Sequence, residues 1–263
     1  MRLIALSVCL MLGVGTSAAA EEAPQRSAED IRECSRSNFP DSTAEQSFRL
    51  KTVDASGTET SQRGKMRWRM TDKDLTETNI CFTAPAALNG ACYLMIERED
   101  TDDIFVFLPS LNRVKRVLGG ATSQKLLGTE ISYADIKHLQ GLAAGGELKR
   151  LDDGVLNERP VYMLEGRPDP SQESPYVRVV SHVDQETCTP LQVDLYGLGD
   201  KLRKRLHVRR ESLQQRDGRW LIHDLTVRDV LNETRTEMQF EDIVYDDKIA
   251  SRVFNRRTFY MSP

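Results

Sequence analysis

Beyond Val14 the chain has no apolar run near the roughly 20 residues a helix needs to cross a bilayer. It is equally poor in the side chains from which reaction centres are built. His138, His182, His207 and His223 are dispersed, and there is no Gly-x-Ser-x-Gly elbow, His-Glu-x-x-His pair or phosphate loop. No Cys-x-x-Cys pair with a neighbouring His supplies a tetrahedral zinc site. The acidic run Glu97 to Asp103 lacks the spaced Asp/Asn-Gly pattern of a calcium loop and reads as a solvated hairpin tip. A formal charge of −4 lacks the basic excess of a nucleic-acid binder. These absences predict a protein that is not an enzyme, has no catalytic residue, metal or cofactor, and has no nucleic-acid partner.

What is present begins with an export signal. Arg2, the apolar stretch Leu3 to Val14 and the small residues Ser17-Ala18-Ala19-Ala20 form an n-region, an h-region and a cleavage site in order. Residues 1–20 are expected to be removed after Ala20. Leu6 lies three residues before Cys9, as in a lipoprotein box, but Val8 is a poor residue to cleave behind, so no lipid anchor is expected. The remaining cysteines are Cys34, Cys81, Cys92 and Cys188, an even number in an exported chain, which favours two disulfides. Of the three connectivities, Cys81–Cys92 with Cys34–Cys188 is preferred, because Cys81 and Cys92 flank a Pro/Asn/Gly turn. Buried free thiols are the alternative.

After the linker, Ser27-Ala28-Glu29-Asp30 reads as a helix start, with Ser27 capping and Asp30 three residues on, and this helix ends before Pro40. Residues 21–43 thus form an N-terminal linker and helix, and 44–263 a single β domain. From Ala44 the periodicity is two: Met66, Trp68 and Met70 alternate with cations, and Leu191, Val193 and Leu195 with Gln192 and Asp194. Such runs occur near 44–54, 61–71, 74–83, 91–98, 103–108 and 112–118, then near 145–154, 160–167, 176–184, 189–197, 202–213, 219–230 and 234–244. With no long helical pattern between them, they predict one large, strongly curved antiparallel sheet. The Gly-rich stretch near 119–144 is expected to carry short helices across one face. Tyr93 to Ile96 and Ile104 to Leu108 are apolar on both faces, so both sides of these strands must be covered.

Two sets of side chains are candidates for binding. Met66, Trp68, Met70, Phe82, Met95, Phe105 and Phe107 would suit a pocket for varied acyl chains, methionine being adaptable and polarizable. By composition alone they read more simply as core. Arg113, Lys115 and Arg116, and separately Arg203, Arg205 and Arg209 on one strand face, are basic clusters that could meet anionic headgroups or an acidic partner. Solvated faces, or pairing with acids such as Asp194 and Asp224, are the alternative.

Several segments in a fixed order carry a family likeness. They are Phe82-Thr83-Ala84-Pro85 with Gly90 and Leu94; Phe107 through Arg116; Gly128 through Asp135; Glu173-Ser174-Pro175-Tyr176; and Asp184 through Leu195 with Thr187, Pro190 and Leu191. Together, from about Thr43 to Phe254, the chain resembles the outer-membrane lipoprotein-sorting proteins of the LolA/LolB-like superfamily, in a larger branch associated with transporters of the resistance-nodulation-division (RND) type. Cys81, Cys92 and Cys188 lie outside that family's pattern. The resemblance implies a mainly β, LolA-like half-barrel of about eleven antiparallel strands, with short helices covering its concave face and an apolar cavity for acyl chains. It moves the Met/aromatic set from core to cavity and adds Leu139 and Leu142 as lid residues.

The function so implied is a monomeric periplasmic carrier that shuttles lipid or lipoprotein acyl chains between envelope membranes in outer-membrane biogenesis. Arg113, Lys115 and Arg116 would face the headgroup or a donor complex during transient contact with a membrane surface. The other reading is a periplasmic sensor or adaptor subunit docking on an inner-membrane RND-type transporter or an envelope regulator.

Overall fold

The computed structural model describes residues 25–39, 42–73, 75–98, 102–117, 123–139, 146–169, 174–246 and 248–261, without the side chains at 137–139 and 242. The export signal at 1–20, its cleavage site after Ala20 and Leu142 lie outside the described residues. The first described element, α1 (Ala28–Arg36), starts where the sequence places it. Ser27 Oγ accepts from the Asp30 N–H at 3.1 Å, and the Asp30 carboxylate accepts from the Ser27 N–H at 3.0 Å. That capping box satisfies donors left open at the helix start.

The strands follow as β1 (Ala44–Val53), β2 (Glu59–Met70), β3 (Thr76–Ala84), β4 (Cys92–Ile96), β5 (Asp103–Leu108) and β6 (Arg113–Val117). After the helix α2 (Tyr133–Leu139) come β7 (Gly146–Leu156), β8 (Arg159–Pro168), β9 (Arg178–Asp184), β10 (Pro190–Gly197), β11 (Lys201–Val208), β12 (Gln214–Arg216), β13 (Arg219–Leu221), β14 (Asp224–Asp229) and β15 (Thr234–Tyr245). Among the described residues, thirteen strands form one sheet in the order β6-β5-β4-β3-β2-β1-β15-β14-β11-β10-β9-β8-β7, every pairing antiparallel, and β12 and β13 form a separate hairpin. The sheet thus exceeds the eleven strands implied by resemblance and follows the alternating runs. The run near 202–213 ends as a strand at Val208, and the run near 219–230 splits between β13 and β14.

This topology dictates where the middle of the chain goes. Two meanders meet at the β1–β15 ladder, which leaves β6 and β7 at opposite edges of the sheet. The connection from β6 to β7 must therefore traverse the whole sheet, and its described part, 123–139, lies over the inner face. Leu126, Ile131, Tyr133, Ala134 and Ile136 from this lid join Phe48, Leu50, Ile80, Phe82, Val193, Leu206, Val227 and Met238 in the main core. Among the described residues no helix is long and apolar enough to cross a membrane.

The doubly apolar strands find their second cover at the C-terminus. On the outer face Cys81, Cys92, Leu94, Ile96, Phe105 and Phe107 are buried beneath Val253, Phe254 and Phe259. Tyr260 stacks on Phe107 with ring centroids 3.9 Å apart. The Asn79 side-chain amide donates to the Phe259 carbonyl at 3.2 Å, which holds this cover against β3. The structure joins Cys81 to Cys92 across directly paired positions of β3 and β4, and Cys34 to Cys188 over 154 residues, tying α1 to the β9–β10 turn.

Candidate functional site

Below the lid, on the inner face, lies an apolar cavity of about 140 Å³. Alternation along β1 and β2, with a register shift in the β1–β15 ladder that brings Ile243 as well as Phe240 to the same side, builds its floor. Gln46, Phe48 and Leu50 of β1 stand in register with Met66, Gly64 and Gln62 of β2, and Ile80 of β3 lies opposite Met66. Met238, Phe240 and Ile243 of β15 with Leu225 of β14 extend the floor, and Leu126, Ile131 and Ile136 form the lid side. The remaining wall comes from Ser35 of α1 with Asn38 and Phe39 beyond it, from Thr189 and Pro190 at the start of β10 after the Cys188 bridge, and from Trp220 and Leu221 of the small hairpin with Ile222 beyond it.

These wall elements hold one another. The Asn38 amide donates to the Thr187 carbonyl at 2.8 Å and its oxygen accepts from the Trp220 N–H at 2.9 Å. Phe39 lies against Trp68 with ring centroids 5.7 Å apart. Gly64 is a close-approach position, where an added Cβ would meet the Phe48 ring at 2.5 Å and the Cys81 carbonyl.

The lid is held by buried polar groups. Gln62 donates to the Leu127 carbonyl at 2.8 Å, and the Glu130 N–H donates to Thr236 Oγ1 at 2.8 Å. Lys204 Nζ donates to the Glu130 carbonyl at 2.8 Å and to Asp135 Oδ2 at 2.6 Å. The Tyr176 hydroxyl donates to Asp135 Oδ1 at 2.5 Å. Asp135 is 0 % and Lys204 4 % exposed, so this ion pair is desolvated and depends on its additional hydrogen bonds. Burial, then the Asp135 charge, pushes the Tyr176 hydroxyl far up, and burial, outweighing the bond from the Leu127 N–H, brings Tyr93 up to about 12, so both stay protonated.

The structure distributes the expected ligand residues unevenly. Met66 and Trp68 line the cavity. Met70 shares their strand face but is not part of the lining, Phe82 is wholly buried in the main core, and Met95 packs against that core. Phe105 and Phe107 point to the opposite face and belong to the cluster under the C-terminus. Period two placed them correctly as buried but could not say on which side. Leu139 ends α2, its side chain lying outside the described atoms, as Leu142 does entirely. The lining from β1, β14, β15 and the small hairpin went unnoticed, although Gln46-Ser47-Phe48-Arg49-Leu50 and Met238-Gln239-Phe240 carry the same alternation.

The basic clusters divide as well. Arg113 and Lys115 are exposed on edge strand β6, with no ion pair among the described residues, while Arg116, on the other face of that strand, pairs with Asp103 at 2.5 Å. Arg203, Arg205 and Arg209 do not share one face. A register shift in the β10–β11 ladder sets Arg203 out of alternation, and it pairs with Asp229 at 3.1 Å. Arg205 makes two bonds to Asp194, at 2.5 and 3.0 Å, and Arg209 pairs with Asp224. Burial alone would raise the Asp194 pKa, but the nearby His182 ring, 3.8 Å away, and the two bonds from Arg205 outweigh it and bring it to about 2. No group of three or more His, Cys, Asp or Glu among the described residues is placed to hold a metal.

The large open antiparallel sheet with few helices is a LolA-like half-barrel, and known structures carry this fold at low sequence identity. A LolA superfamily protein from Nitrosomonas europaea matches with a TM-score of 0.70 at 20 % identity over 88 % of this chain and 98 % of its own. A structure described as an outer membrane lipoprotein-sorting protein domain, from Vibrio parahaemolyticus, reaches 0.78 at 20 % identity, covering 89 % of this chain and 98 % of its own. A DUF1329 family protein from Desulfovibrio piger reaches 0.80 at 22 % identity, over 87 % and 95 %. The family profile that matches, over residues 74–260, is described as "Uncharacterized protein", and the chain belongs to that family. No curated protein matches the sequence.

Proposed function

We propose that the protein is a periplasmic carrier that binds a lipid or lipoprotein acyl chain in the cavity beneath its lid and moves it between envelope membranes. The observation that carries this reading is the cavity itself, walled by Phe48, Leu50, Met66, Trp68, Leu225 and Phe240 in a fold whose relatives include a lipoprotein-sorting domain. Its volume is close to that of an engineered protein cavity of about 150 Å³ that takes up benzene, so it accommodates roughly six carbons. At about 0.8 kcal/mol per buried methylene, such a segment contributes roughly 5 kcal/mol, enough to hold a chain and release it.

Of the two basic clusters, Arg113 and Lys115 are exposed without an ion pair among the described residues, free to meet a headgroup, an anionic membrane surface or an acidic face of an RND-type transporter. Arg203, Arg205 and Arg209 are each paired with an aspartate and act as braces of the sheet. Native mass spectrometry of the protein isolated from a bacterial envelope should show co-purified lipid. A preparation that is empty and indifferent to added lipid would overturn the proposal.

A further inference from the structure

The Cys34–Cys188 bridge carries a cation. Arg26 Nη1 lies 3.4 Å from Cys34 Sγ and 3.6 Å from Cys188 Sγ, and its guanidinium stands 6.0 Å over the Tyr162 ring of β8. The bridge also reaches the surface, since Cys34 is half-buried and Cys188 is 6 % exposed. The second bridge does not, because Cys81 and Cys92 are both 0 % exposed beneath the C-terminal cover.

Access and a neighbouring charge govern thiol–disulfide exchange. An attacking thiolate must reach one sulfur while the other departs as a thiolate, and a positive charge beside it stabilises the departing anion. Cys34, the more exposed of the two, is the one open to attack. One thiolate of a dithiol forms a sulfur–sulfur bond to Cys34 and breaks the bond to Cys188, which leaves as a thiolate beside Arg26. The second thiolate then attacks the dithiol's own sulfur in the mixed disulfide, and Cys34 leaves in turn. Two electrons pass to the bridge, the dithiol closes to a disulfide, and the two cysteines take up the two protons it gave up.

The bridge is also built into the cavity wall. Ser35 and Thr189, the residues next to Cys34 and Cys188, both line the cavity, as do Asn38, Phe39 and Pro190. Apart from the bridge, these two stretches of wall are joined by the hydrogen bond from Asn38 to the Thr187 carbonyl, which contributes about 1 kcal/mol net. Ile31 packs α1 on Leu164 and Val183, so opening the bridge frees the wall without releasing the helix from the sheet.

We propose that Cys34–Cys188 is a thiol–disulfide exchange site for a dithiol oxidoreductase, and that its reduction loosens the α1 end of the cavity and speeds ligand release. The exchange chemistry stands on the bridge and Arg26, whereas the effect on release rests on the carrier reading.

The test treats the oxidised full chain with dithiothreitol at about pH 7, alkylates at intervals and maps the labelled cysteines by mass spectrometry. Cys34 and Cys188 should label at least about tenfold faster than Cys81 and Cys92. Arg26→Gln should slow that labelling roughly threefold, and Arg26→Lys, which keeps the charge, should slow it less. Trp68 and Trp220 are the protein's two tryptophans and both line the cavity, so quenching of their fluorescence by 1-bromohexane reports its occupancy. Reduction confined to Cys34–Cys188 should speed dissociation of 1-bromohexane roughly threefold or more, with a cooperative thermal transition retained. Cys34→Ser with Cys188→Ser should reproduce that rate without reductant. Bridges reduced at equal rates, an Arg26→Gln protein reduced as fast as the wild type, a dissociation rate unchanged by reduction, or loss of the fold on reduction would overturn the proposal. Oxidised wild-type protein that takes up no 1-bromohexane would instead overturn the carrier reading, with the exchange chemistry still decided by the labelling.

Discussion

Asp135, on the lid, accepts a 2.6 Å hydrogen bond from Lys204 of β11, joining the crossing segment to the sheet through two charges that are almost wholly out of water. Removing one charge strands the other, which typically costs about 3–5 kcal/mol. Lys204→Met should therefore lower the unfolding free energy by that order and speed proteolysis within 123–139. The double variant Lys204→Met, Asp135→Leu should recover much of the loss, a comparison read by urea denaturation of the four proteins of the cycle.

The two disulfides should contribute unequally. In the chain-entropy picture a bridge spanning 154 residues restrains the unfolded chain by roughly 5 kcal/mol and one spanning 11 by roughly 3. Cys34→Ser with Cys188→Ser should accordingly destabilise the protein more than Cys81→Ser with Cys92→Ser. It should also loosen the Asn38–Phe39 wall of the cavity. Calorimetry and amide exchange at residues 28–39 measure both effects.

The opposite faces of β2 and β5 separate stability from binding. Phe107→Ala, under the C-terminal cover, should cost about 3–5 kcal/mol of stability and leave uptake of an apolar probe by the surviving folded protein unchanged. Met66→Trp, which fills the cavity, should weaken uptake at least about tenfold with a stability change of about 1–3 kcal/mol. Paired thermal melts and probe titrations distinguish the two outcomes.

Asp194 is held at about 2 in the folded protein against an ordinary value of 3.8. Because its folded value is depressed, its contribution is present above about pH 4 and is lost as the pH falls towards 2. Discounted for partial solvation, the effect is on the order of 1–2 kcal/mol. Asp194→Asn should therefore be less stable than the wild type at pH 6, and the gap should close by pH 2. Denaturation midpoints measured across that range test it.

Glycine at position 64 should be irreplaceable, since Phe48 lies across it from the paired strand and the Cys81 carbonyl closes the other side. Gly64→Ala should cost about 1–3 kcal/mol or more through overpacking. A thermal midpoint unchanged within error would contradict that packing.

Much of this architecture was legible in the residues. Alternation at Met66, Trp68 and Met70 and at Leu191, Val193 and Leu195 marks strands with one buried face, and the Ser27/Asp30 pair marks a helix start. The preferred cysteine pairing is the one in the structure. The site was less legible. Tyr176 and Lys204 lie 41 and 69 residues from Asp135, and no local pattern links the three. Gly128 to Asp135 carried the family likeness, and the structure gives that stretch a physical role, since Glu130, Ser132 and Asp135 bond the lid to the sheet and within itself.

By itself the sequence determined which residues are buried on strands, because a side-chain period of two follows from backbone geometry alone. Only the tertiary structure decided which of the two faces became the cavity. Phe105 and Phe107 are as apolar as Met66 and Trp68, but the β6-to-β7 connection crosses one side of the sheet and the C-terminal segment packs on the other. That choice rests on strand order and on contacts between residues far apart in the chain, and strand periodicity carries no information about either.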